Sequence, residues 1–225
     1  MKDYILETCV DSVESAMAAA EGGADRLELC SNLIIGGTTP GPWLFEEIRK
    51  RSDIRIHALI RPRFGDFCYT DYEWRIMKEE IRMFRDRGAD GIVIGMLKPD
   101  GILDRDRMEA LLEERGGMSV TLHRAFDVCK EPMETLAVAK TMGIQTILTS
   151  GQKNTCMEGQ NTGRAAAGKP GGNLYSGRRG RHAGRNRITL PPDGNLRLPY
   201  VGEREARKRH DIPKQECPYG ACEAE

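Results

Sequence analysis

Three stretches of one layout decide the fold: Gly23-Ala24-Asp25-Arg26-Leu27-Glu28-Leu29, Gly88-Ala89-Asp90-Gly91-Ile92-Val93-Ile94 and Gly143-Ile144-Gln145-Thr146-Ile147-Leu148-Thr149. Each reads as a helix-closing glycine, a short turn and a buried strand. Outward from them, short β-rich apolar runs cover residues 4–9, 26–30, 54–60, 91–97, 119–123 and 146–149. Helical patterns fill the intervals at 12–21, 42–50, 71–87, 105–114 and 132–142. Asp11 or Ser12 with Glu14 nearby, and Thr70 before Asp71, supply helix-start signals, and Pro132 suits a first helical turn. Strand starts recur about every 22 to 36 residues, the length of one βα unit. Such repetition implies a parallel sheet, either doubly wound or closed as a barrel.

The polar residues favour the barrel. No Gly-x-Gly-x-x-Gly follows the first strand, and no Gly-x-x-x-x-Gly-Lys-Ser/Thr occurs, which argues against a dinucleotide or P-loop protein. Nearly every strand run ends in polar or reactive groups: Glu7 and Cys9, Glu28 and Cys30, His57 with Arg61 and Arg63, His123 with Arg124 and Asp127, then Thr149 and Ser150. In a TIM (β/α)8 barrel the C-terminal strand ends converge on one mouth, where active sites form. Charges within apolar strands are costly unless paired or wet, so five such strands point to one shared polar site.

The 225 residues carry 34 basic and 34 acidic side chains, but the balance is uneven. Up to Gln160 the net charge is roughly −6, and from Asn161 onward roughly +6. The last stretch holds only about seven Leu, Ile, Val, Met or Phe against about sixteen Gly and Pro, a composition that reads as disordered. Two regions follow: an incomplete barrel over 1–160 with strands one to six recognisable, and an aberrant tail over 161–225. Six strands cannot close an eight-stranded barrel, so both sheet edges are expected to be open. The longest apolar runs fall far short of the roughly 18 residues of a membrane span, and the start lacks a signal-peptide core. A cytoplasmic location and reduced thiols are the expectation for the seven cysteines.

Several phrases together resemble one family. They are Glu7-Thr8-Cys9-Val10-Asp11-Ser12, the run from Gly22 to Ser31, Gly36-Gly37-Thr38-Thr39-Pro40, Ile60-Arg61-Pro62-Arg63 with Gly65-Asp66-Phe67, His123-Arg124-Ala125-Phe126-Asp127, and Thr149-Ser150-Gly151. In this order they closely resemble the CutC copper homeostasis proteins, which are cytoplasmic TIM barrels. The resemblance ends near Gly159, where two further strands with phrases similar to "MAGGG" and "FHMSG" are implied. The codons of Asp193 to Gly202, read one nucleotide later, permit TGTSAFHMSG, so a frameshift near codon 160 is the expected origin of the tail.

The resemblance implies copper handling, with Cu(I) as the metal. Cys9 and Cys30 end adjacent strands, and soft thiolates favour Cu(I); the plainer alternative is that each packs a strand end. Glu7, Glu28, His57, Arg61, Arg63, His123, Arg124, Asp127 and Ser150 form a second candidate site. In it His57, His123, Glu28 and Asp127 supply acid/base groups, and Glu7, the arginines and Ser150 bind ligand. Such a site suits an enzyme acting on a small anionic metabolite, while the structural alternative is an ion-pair network that sets barrel register. A nonfunctional truncated barrel is the third reading. Cys68, Cys129 and Cys156 are expected to be structural, and Cys217 and Cys222 have no assigned role. The loop from Gly36 to Gly41 lies over the mouth or simply turns into the next helix. The Arg178-Arg179-Gly180-Arg181 run lacks an aromatic platform, so no nucleic-acid partner is expected. No membrane partner is expected either, and association into a homo-oligomer stays open.

Overall fold

A computed structural model describes residues 5–154, 158–159 and the strand 186–189. The chain runs β1 (Glu7–Val10), α1 (Val13–Glu21), β2 (Arg26–Leu29), α2 (Pro42–Arg49), β3 (Arg55–Leu59), α3 (Asp71–Asp86), β4 (Gly91–Ile94), α4 (Arg105–Glu113), β5 (Ser119–Leu122), α5 (Pro132–Thr141), β6 (Thr146–Thr149) and β7 (Asn186–Thr189). Strands β1 to β6 pair in sequence order and all in parallel. With alternating helices outside, they form a curled half-barrel, the partial TIM barrel expected from the repeat.

Local signals place the elements. Ser12 caps α1 and Thr70 caps α3, each in a reciprocal capping box. The box partner of Ser12 is Ser15, not Glu14, because Ser15 occupies the third helical position that faces the cap. Pro42 and Pro132 sit in first helical turns, where a missing N–H costs nothing.

Strand parity divides the sheet into two chemically different faces. Leu27, Leu29, Ile56, Ala58, Ile60, Ile92, Ile94, Val120, Leu122 and Ile147 point outward and join the helices in the main core. Their alternates point inward, where most are polar. Burying the outward set is the main stabilising contribution, roughly 1.5–3 kcal/mol for each large side chain. The inward set confers chemistry.

Most of 161–225 lies outside the described residues, as do Cys156, the arginine run at 178–181, Cys217 and Cys222. The exception is β7, which runs antiparallel along β6, with Ile147 opposite Ile188. The β6 edge is therefore covered, contrary to the expectation that both sheet edges stand open. The reason is general: the unpaired N–H and C=O groups of an edge strand recruit an extended segment within reach.

Candidate functional site

The inward residues stack in rows set by strand register. Deepest are Glu7 and Arg26, which are register partners and form a buried ion pair. Burial brings the Arg26 guanidinium down to about 10, so it keeps its charge at neutral pH.

The next row holds Cys9 opposite Glu28, Glu28 opposite His57, His57 opposite Gly91, and Gly91 opposite Ser119. His57 Nε2 lies 2.9 Å from Ser119 Oγ across the glycine. A Cβ on Gly91 would stand 2.5 Å from His57 Nε2 and 2.6 Å from Ser119 Oγ, so the missing side chain is what lets the ring cross β4. Burial, reinforced by Arg26 and Arg55, holds His57 well below the ordinary imidazole range. His57 therefore does not belong to the mouth, contrary to the sequence expectation. It precedes Arg61 by four residues, which is about 13 Å along a strand.

Above this row lies an apolar plug of Cys30, Leu59 and Val93. Cys30 Sγ is 3.8 Å from Glu28 Oε1 and 3.7 Å from the Glu28 carbonyl. Cys9 and Cys30 thus share the inward face on adjacent strands, one row apart, with the Glu28 carboxylate beside both positions. Among the described residues no group of three or more His, Cys, Asp or Glu is arranged to hold a metal.

The mouth is built by Arg61 and His123. Arg61 Nη1 donates to the carbonyls of Gly36 and Gly37 at 3.3 and 2.9 Å, and Nη2 donates to the Gly65 carbonyl at 2.9 Å. Gly37 takes a φ of +87°, and a Cβ there would stand 2.8 Å from Leu59, so only glycine presents this carbonyl without strain. The loop from Gly36 therefore anchors Arg61 in addition to turning the chain. His123 Nδ1 accepts from the Ala125 N–H at 3.1 Å, and its ring lies 4.6 Å from the Phe67 ring. Phe67 also stacks on the Arg61 guanidinium at 5.1 Å. Burial, with the nearby Arg61 charge, presses His123 down to about 3. Gly95 leaves the space for this ring, since a Cβ there would meet His123 at 2.6 Å.

Four predicted site residues make structural contacts. Arg63 spends all five donors on the carbonyls of Phe64, Asp66 and Cys68 and the carboxylates of Asp66 and Glu73, so it has none left for a ligand. Asp127 accepts from Arg124 Nε, Thr149 Oγ1 and the N–H groups of Ser150 and Gln152, tying the end of β6 to the segment after β5. Held in this way, its carboxylate acts as a clamp between the two segments. Ser150 Oγ accepts from Arg124 Nη2 at 2.7 Å and donates to the Lys153 carbonyl at 2.6 Å. Arg124 and Ser150 thus form the rim on the β6 side. Arg26, Ser119, Thr121, Phe67 and the two β4 glycines escaped the sequence reading. A strict count of alternate positions along each strand would have placed all but Phe67 on the inward face.

The family model described as the CutC family matches residues 4–166. The crystal structure of copper homeostasis protein CutC from Streptococcus agalactiae is similar at a TM-score of 0.69 and 30% sequence identity, covering 73% of this chain and 82% of that one. A structure of oxaloacetate acetylhydrolase in complex with the product oxalate is similar at a TM-score of 0.53 and 15% identity, covering 74% of this chain and 64% of that one. At that identity the likeness concerns the fold alone. No helix among the described residues is long and apolar enough to cross a membrane.

Proposed function

The chain belongs to the CutC family, and from that premise we propose that it serves copper homeostasis by holding Cu(I) between Cys9 and Cys30. The observation that carries this reading is the placement of both thiols on the inward face of neighbouring strands, beside Glu28. Cu(I) is a soft ion that two thiolates satisfy, and Cys30 is buried within the apolar plug. The copper here is cargo, and a reducing compartment keeps both metal and thiols competent.

The test is anaerobic titration of the purified chain with Cu(I) against a chromophoric chelator. One Cu(I) per chain is expected. Cys9→Ser and Cys30→Ser should each weaken binding by more than the roughly tenfold that loss of an outer hydrogen-bond partner costs. Undiminished binding in the double serine variant rejects the site.

A further inference from the structure

The two buried arginines of the inward face are compensated differently. Arg26 has the Glu7 carboxylate beside it. Arg61 is only 8% exposed, yet among the described residues its guanidinium donates to backbone carbonyls and lies beside the neutral Tyr69 hydroxyl, with no carboxylate in an ion pair, and its Nε has no partner. The carbonyls take three of the five guanidinium donors and do not neutralise it; a buried cation without a counter-charge is costly. Alongside, His123 is 4% exposed and its Nε2 has no hydrogen-bond partner. Because Nδ1 accepts from Ala125 N–H, the ring proton of neutral His123 sits on Nε2, where it is an unused donor. Phe67 packs against both groups and holds them side by side.

We propose that Arg61 and His123, braced by Phe67, bind a small oxyanion, the carboxylate or phosphoryl group of a metabolite, at the β3–β5 side of the barrel mouth. Arg61 supplies the charge and its Nε–H, and the His123 Nε2–H supplies a neutral donor, a pairing that accepts two oxygens of one group. Every residue of this site lies between Gly36 and Ala125, so it needs nothing from the last quarter of the chain. It also stands independently of the copper reading.

The test is calorimetric titration of the full chain with sodium phosphate and with sodium oxalate, in the presence of a copper chelator, against sodium chloride at matched ionic strength. Saturable binding of at least one of the two oxyanions is expected, and their order of affinity identifies a phosphoryl or a carboxylate ligand. Arg61→Lys and His123→Asn should each weaken it roughly tenfold or more. Arg87→Gln, which removes an ion pair with Glu46 out among the helices, should not change it. His123→Asn carries the test if Arg61→Lys fails to fold by circular dichroism, since the Asn oxygen can still accept from Ala125. Binding no tighter than chloride, or undiminished binding in the folded variants, overturns the proposal.

Discussion

His57 and His123 are neutral because they are buried, and that has a consequence for stability. An imidazole depressed in the fold titrates near 6.5 once unfolded, so the unfolded state binds the extra protons and stability falls as pH drops below about 6.5. His123 should cost about 2 kcal/mol between pH 7 and pH 5, and His57 acts in the same direction. Glu80 acts in the opposite sense. Its burial on α3, against a hydrogen bond from Thr39, raises it to about 7, so it contributes about 2 kcal/mol more at pH 5 than at pH 7. His123 and Glu80 roughly offset one another, so the net expectation is a loss towards pH 5 set by His57, read by denaturant unfolding at the two pH values. Glu80→Gln should steepen the loss and His123→Asn should reduce it; a pH-independent stability would contradict the buried, neutral assignment. Both histidines were legible in the sequence as candidates. Their partners were not, because Ser119 reaches His57 across Gly91 and Phe67 reaches His123 from another loop.

At the scale of elements, β4 is the strand whose role is least visible in its composition. Gly91, Ile92, Val93, Ile94 and Gly95 read as a buried strand, and the structure agrees for Gly91–Ile94. Its glycines, however, are the places where neighbouring histidines cross the inward face. Gly91→Ala and Gly95→Ala are each expected to destabilise by about 1–3 kcal/mol through overpacking. Gly117→Ala, where an added Cβ meets nothing within 4 Å, is the matched control. Equal unfolding midpoints for all three variants would remove the crossing role from β4. The helix caps at Ser12 and Thr70 were readable because a cap is satisfied within four residues. The vacancies on β4 were not, because they answer to side chains from β3 and β5.

For the whole molecule, the open question is the unpaired flank of the half-barrel. Among the described residues β1 pairs only with β2, while β7 covers β6. An edge of this kind, next to a polar lumen, favours self-association. We expect concentration-dependent association of the chain by light scattering. A chain rebuilt in the shifted frame after codon 160 is expected to remain dispersed and unfold at higher temperature; equal behaviour of the two would count against the frameshift. The repeat of glycine, turn and strand, with its period of one βα unit, was enough to establish the parallel sheet, and the polar strand ends were enough to favour the barrel, because helix closure and strand alternation are local properties of the chain. Three-dimensional packing alone assigned the roles: Arg26 neutralised by Glu7, Arg63 and Asp127 consumed by structural bonds, Arg61 left with carbonyls. Those outcomes depend on strand register and on loops arriving from distant parts of the chain. No local pattern encodes which charge finds a counter-charge once water is excluded.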